Sequence, residues 1–405
     1  MGKFWPGVKF STENNKIVSQ IDSQLDSLSQ RFSSYEGFLG VGDSTKVFVK
    51  IGYVHRVNDS VQDNRLQRVN QSDTYYLNSK LIASKNTNLS LFVNYRLFNL
   101  KTQDQSLKKS LNSRVFYNQN FLKNLMQWQT IYETNSGRLP QQDFTYVEVE
   151  PGRGSFVWFD YNDNGIQELE EFEVAQFQDQ ATYIRVLLPN QVFIRTHQNR
   201  LSQSLTFDPI QWANSSNKRQ KFWAHFYNLT TYIIDRKDRN AFQNINLNPF
   251  TSEAGQQLGL QSNFRNQLFF NRGKQHFTMS YSYFDSELKN VLSFGAITQK
   301  GSGHQFNFTH KIQDQWLLNF QTNIESNRAT SENFTSRNYD LEQWLVNPKV
   351  SYLLDDNKRF DLFYQFHKKN NLILGQEILE QHKLGISTVL TQNQKAAISA
   401  ELNYF

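Results

Sequence analysis

Cysteine is absent from this 405-residue sequence, which removes both a disulfide framework and any metal site built on thiolates. Also absent is a run of roughly 18 to 20 apolar residues, the length with which an α-helix crosses a bilayer. The longest apolar stretches, such as Phe156–Phe159, extend over a few residues only. With 20% charged residues and a mean hydropathy of -0.64, the chain is too polar for a helical membrane protein. Charge of one sign is scarce too: the net charge is +6, and lysines and arginines are scattered among acids rather than gathered into a stripe. That distribution offers little to a nucleic acid. The first residues, Met1-Gly-Lys-Phe-Trp-Pro-Gly, lack the apolar core of a secretory signal. An exported protein with this sequence is therefore expected either to have lost its signal or to be a fragment of a longer chain.

Aromatic residues, by contrast, are plentiful at 15%, with 34 phenylalanines and 18 tyrosines. They fall in short alternating segments, the pattern of half-buried strands. Phe360, Leu362, Tyr364 and Phe366 interleave with Asp361, Gln365 and His367. Trp316, Leu318, Phe320 and Ile324 do the same against Asn319, Gln321 and Asn323, and Phe277, Met279, Tyr281 and Tyr283 against Thr278, Ser280 and Ser282. One face of each strand is apolar and the other polar. Alternation alone does not say whether the apolar face meets a core or lipid.

Connection lengths add a second signal. Short turns are expected near Thr391–Lys395, Asp355–Lys358, Ile312–Gln315, Asn271–Lys274, Ala213–Arg219, Tyr117–Asn124, Ser84–Asn88 and Val41–Thr45. Longer polar connections are expected at 369–378, 327–342, 285–302, 235–256, 135–192, 101–109 and 58–71. Short turns on one side and long loops on the other are the habit of bacterial outer-membrane barrels. The expected fold is an all-β, antiparallel transmembrane β-barrel of roughly 14 to 16 strands. Segment 1–40 is the least defined: Ile17, Ile21, Leu25 and Leu28 have helical spacing, yet the stretch fits a strand of a larger protein as well. Residues 41–136 and 193–405 are expected to form the barrel, with 137–192 inserted between them.

The insertion carries the most specific motif. Asp160, Asn162, Asn164, Gly165, Glu168 and Glu171 match the twelve-residue EF-hand loop at positions 1, 3, 5, 6, 9 and 12. Calcium takes six to eight oxygen ligands; Asp160, Asn162, Asn164 and Glu168 would supply side-chain oxygens, Ile166 a carbonyl, and Glu171 a bidentate carboxylate. Gln167 replaces the usual apolar residue, and Ser155–Phe159 reads as a strand rather than an entering helix, so a paired EF-hand domain is not expected. Instead the strand before the loop is tied to Phe144–Glu150 by a turn at Pro151-Gly-Arg-Gly154, and Leu169–Phe177 forms a short exit helix. A structural Ca²⁺ ion is the expected cofactor, holding an external loop.

Two segments resemble known proteins. Ala396 to Phe405 alternates Ile398, Ala400, Leu402 and Tyr404 before an aromatic terminus, and resembles the insertion signal read by the barrel-assembly machinery. The stretch Gly152 to Val186 is similar to a segment of large outer-membrane proteins of Bacteroidota. These resemblances imply an envelope protein of a Gram-negative bacterium, placed in the lipid bilayer of the outer membrane by that machinery and open to an envelope protein partner. They transfer no activity. Transport or binding of a solute is the leading expectation, and a structural or adhesive barrel carrying a calcium-stabilised external domain is the alternative. An outer-membrane hydrolase comes third. The eight histidines are dispersed, with no nucleophile elbow or metal spacing, so no catalytic residues are expected; His225 and Asn228 would need a serine on a neighbouring strand.

Overall fold

The structure, a computed structural model, describes residues 4–404 except 19–23, 44, 102–106, 162–163, 240–244, 254, 275, 293–294, 333–336, 356–357, 374–376 and 393–395. Strands hold 74% of the residues and helices 4%, as the alternation predicts. In chain order the strands are β1 (Phe4–Asn15), β2 (Gln30–Gly42), β3 (Phe48–Gln62), β4 (Arg65–Ala83), β5 (Thr87–Leu100), β6 (Lys108–Phe121) and β7 (Met126–Glu148). Two short strands follow, β8 (Phe156–Trp158) and β9 (Phe172–Val174), and then β10 (Tyr183–Phe207) and β11 (Phe226–Arg239). The rest are β12 (Gln257–Phe270), β13 (Phe277–Leu292), β14 (Gly295–Ile312), β15 (Trp316–Ser331), β16 (Tyr339–Asp355), β17 (Lys358–Asn371), β18 (Ile378–Gln392) and β19 (Ala396–Tyr404). They belong to one large antiparallel sheet.

The chain divides into two compact units. The first comprises Met1–Gly137, Arg195–Thr206 and Tyr232–Gln256, and in it β1 to β7 pair in sequence order. The second comprises Arg138–Ile194, Phe207–Thr231 and Gln257–Phe405, and in it β12 to β19 form an unbroken meander. Sequence-adjacent pairing of this kind needs only tight hairpins.

Most predicted short turns are in place. β14 and β15 are joined through Gln313 and Asp314, both with positive φ, and β16 and β17 are separated only by 356–357. The turn near Ala213–Arg219 is a correction: 208–225 is a longer connection containing a 3-10 turn and the helix α1 (Lys218–Trp223), capped by the Asn217 side chain. Several predicted long connections are corrections in the other direction. Residues 58–71 are strand, turned by Asp63 and Asn64 at φ 49° and 57°, and most of 285–302 extends β13 and β14. Leu169–Phe177 is not a helix but one 3-10 turn, Leu169–Glu171, followed by β9, and β9 is a hairpin partner of β8. Within 1–40, β1 and β2 are strands, and the described part of Asn14–Gln30 has no helix but a bridge between Val18 and Leu25.

The two faces of the sheet differ in kind. In the first unit Leu39, Ile51, Leu77 and Val93 pair side by side in one row, and Tyr53, Tyr75 and Tyr95 form the next. In the second unit Trp316, Tyr352 and Phe360 make one row, Leu318, Val350, Leu362 and Ile386 another, and Ile324 with Trp344 a third. These apolar faces are exposed: Ile51 and Leu362 are each 50% accessible, Ile386 57% and Trp344 48%. Buried on the polar face are Ser72, Ser282, Ser351 and Asp361. A protein folded against water shows the opposite preference.

Close approach fixes the register of β1 to β4 on the polar face. Trp5 lies over Gly40, Phe38 over Gly7 and Tyr76 over Gly52, and a Cβ at any of the three glycines would collide with the ring. Each ring and its glycine are direct cross-strand partners.

Candidate functional site

On the polar face of the second unit, Asp361 is 2% exposed and receives Lys349 Nζ at 2.9 Å, Arg359 Nε at 3.1 Å and the Ser387 hydroxyl at 3.3 Å. Thr309 donates to Asn319 at 3.0 Å on the same face. In the first unit the polar face carries Glu36, which accepts hydrogen bonds from Tyr76 at 2.5 Å and Lys50 at 3.4 Å. Strand alternation put Asn319, Gln321 and Gln365 on this face, and the pairing agrees: Asn319 lies beside Lys349, and Gln365 beside Lys383.

A second cluster went unseen in the sequence. The apolar row of the first unit continues from Val93 to Ser113 and Thr134, and there residues 246–248 lie across the sheet. Asn199 donates to the Asn246 carbonyl at 2.7 Å, Tyr132 to the Leu247 carbonyl at 2.6 Å, and Arg236 to the Asn248 carbonyl at 2.5 Å. Arg236 also pairs with Asp238 at 2.9 Å, which holds Ser252 at 2.8 Å. Asn199 and Arg236 are fully buried beneath this strap. His197 sits among them between the hydroxyls of Thr134 at 2.7 Å and Ser136 at 3.2 Å. The Ser136 hydroxyl donates to the Leu111 carbonyl and accepts the Leu111 N–H, so it is tied into the strand pairing. No periodic signal announces such a cluster, because its members lie on three strands and a loop.

His225 contacts Asn271 and Lys274, and Asn228 contacts Asn266, Gln267 and Thr230, so among the described residues their partners are not serines.

The insertion is built differently. Around it Tyr146 stacks on Phe172 with centroids 4.0 Å apart and meets Phe156 at 5.0 Å, while Phe172 meets Tyr183 at 5.0 Å. Phe156, Ala181 and Tyr183 are buried. From this small apolar base the 160–171 loop projects. The Asp160 carboxylate accepts the N–H groups of Asn164 at 3.2 Å and Gly165 at 2.8 Å, and Gly165 turns the chain at φ +67°. Asn164 Oδ1 accepts the Ile166 N–H at 2.6 Å. At the far end Glu171 is 3% exposed; its Oε2 accepts the Trp158 indole N–H at 2.9 Å and the Glu168 N–H at 3.3 Å. Its Oε1 is buried without a hydrogen-bond partner. On the surface of the loop, the Tyr161 phenol donates to Glu173 at 2.6 Å, and that bond to a carboxylate raises its pKa. Of the sequence-predicted ligands, Asp160, Asn164, Ile166, Glu168 and Glu171 are placed, and Asn162 lies outside the described residues. Among the described residues no three His, Cys, Asp or Glu side chains gather as a metal cluster.

The aromatic terminus predicted as an insertion signal ends on Phe405, which lies outside the described residues; Leu402 and Tyr404 of β19 are exposed.

No protein family and no curated protein matches the sequence. Among solved structures the chain is similar to OmpT, an outer membrane protein of Vibrio cholerae, in its trimer form, at 10% identity and a TM-score of 0.28, over 98% of this chain and 99% of that one. It is similar also to the ferric-catecholate import receptor Fiu of E. coli K12 in its open form, at 9% identity and a TM-score of 0.28, over 98% of this chain and 72% of that one. Likenesses at this level carry no argument about function.

Proposed function

We propose that this chain is an outer-membrane β-barrel protein of a Gram-negative, Bacteroidota-type envelope, or the barrel portion of a larger one, which passes or binds a solute along its polar face. The observation that supports this reading is the inversion of the two faces. Exposed rows of Leu, Ile, Phe, Tyr and Trp, and buried serines and carboxylates, are what an antiparallel sheet needs when lipid lies outside and water inside. The apolar-face positions of β15 run from Trp316 to Ile324, matching the roughly 9 to 11 residues with which a tilted strand crosses the hydrocarbon. Trp316 closes this span at one end and Trp344, beside Ile324, at the other, the position aromatic residues favour at membrane interfaces. The barrel-assembly machinery would insert such a chain.

The test is the mobility of membrane-extracted protein in SDS with and without heating, followed by conductance of the purified protein in planar bilayers. A heat-dependent shift with ion conductance supports the reading. A soluble protein with no shift overturns it.

A surface-anchoring role is the second reading. It is favoured by β7 and β10, whose 23 and 25 residues run far beyond the length needed to cross a bilayer and carry the insertion at their ends. On that reading, deleting 149–182 abolishes adhesion to a partner and leaves conductance intact.

A further inference from the structure

We propose that the 208–225 connection lies on the bilayer surface and recognises acidic phospholipid headgroups through Lys218, Arg219 and Lys221. The proposal rests on the membrane reading and adds a partner to it. Its first observation is a pair of exposed rings: Phe222 and Trp223, at the end of α1, are 54% and 50% accessible. Both meet Phe226, with centroids 5.4 and 5.3 Å away, and Phe226 meets Phe270 at 5.1 Å. Phe270 is the cross-strand partner of Met279, on the apolar face of the sheet. The apolar face therefore runs without a break onto the connection, and aromatic rings at the edge of such a face favour the membrane interface.

The second observation is charge. Between Asp208 and Asp235 the sequence has no acid, while Lys218, Arg219 and Lys221 are exposed. Among the described residues none of the three enters an ion pair. Lys218 precedes Phe222, and Arg219 precedes Phe222 and Trp223, by one helical turn, so cations and rings share a side. Long stems let Lys and Arg lie along apolar surface while their heads reach phosphate. Rings and cations presented together fit the boundary where acyl chains give way to anionic headgroups. Position selects the lipid. The Asn271 N–H donates to the His225 carbonyl at 2.7 Å, which sets α1 beside the turn between β12 and β13. The tight turns after β14 and β16 lie at the same end of their strands. Barrels keep their short turns in the periplasm, so the leaflet met there is the phospholipid one.

The experiment uses the full chain in vesicles of equal parts phosphatidylglycerol and phosphatidylcholine, with bromine on the acyl chains of one lipid or the other, and reads tryptophan fluorescence. The Trp223 share is the difference between wild type and Trp223→Phe. Both brominated lipids are expected to quench it, phosphatidylglycerol at least about twofold more strongly. Lys218→Gln, Arg219→Gln and Lys221→Gln together are expected to remove that preference and leave the quenching itself. Heat-dependent gel mobility establishes that each variant is an inserted barrel. In an inserted barrel, a Trp223 quenched by aqueous iodide and by neither lipid overturns the proposal and leaves the membrane reading standing. Equal quenching by the two lipids in the wild type, or a preference that survives the triple replacement, overturns headgroup recognition in the same way. A wild-type chain that does not insert overturns both.

Discussion

The sheet and the insertion bury opposite kinds of residue. In the sheet, Leu362 and Ile386 are half exposed while Asp361, Ser351 and Ser282 are buried. In the insertion the order is the usual one, with Phe156, Ala181 and Tyr183 inside and Tyr161, Ile166 and Leu169 at the loop surface. One chain thus applies two rules for what goes inside, and the change occurs where β7 and β10 pass beyond the apolar rows. An amino acid's hydropathy has no fixed consequence here until the medium around its face is known.

The largest expected effect that sharpens the contrast is at Phe156. Replacing it by alanine should cost about 3 to 5 kcal/mol of local stability, as for a buried ring in any water-soluble core. Limited proteolysis should then cut within 149–182 while the heat-dependent gel mobility of the sheet stays unchanged. Leu362→Arg tests the other side. On a lipid-facing midplane position it should cost about 2 to 4 kcal/mol, whereas a half-exposed leucine facing water would tolerate the change within about 0.5 kcal/mol. Guanidinium unfolding in bilayers distinguishes these, and a neutral result would break the comparison. Asp361→Asn removes the carboxylate between Lys349 and Arg359 and should shift ion selectivity toward anions, read as a reversal potential across a salt gradient. The smallest effect belongs to Tyr161. Its phenol donates to Glu173 and titrates above its ordinary value, so the bond is intact below about pH 10 and lost as pH rises through the shifted value. Tyrosinate absorbance of the wild type against Tyr161→Phe reads it.

Strands were legible where one face is apolar, and turns where Asp, Asn or Gly adopt positive φ, as at Asp314 and Gly273. The strand extensions were not. Asn58 to Asn70 reads as a polar loop because it lacks alternating apolar residues, yet β3 and β4 remain paired there through Gln62 and Arg65. The reverse error, at 208–225, came from a local Asn-Ser-Ser-Asn turn signal that caps α1 rather than closing a hairpin. In the insertion the EF-hand-like spacing was visible because it is contiguous. The burial of Glu171 was not, since it depends on Trp158 and on pairing with Phe159 across the loop.

The three rings laid over Gly7, Gly40 and Gly52 act as a proofreading device for assembly. Sliding β1 along β2 by two residues, the smallest slip that keeps the same face inward, would set Trp5 against Phe38 or Gly42 instead of Gly40 and leave Phe38 without Gly7. Misaligned hairpins of these strands would therefore be recognised by steric rejection before the rest of the sheet commits to them.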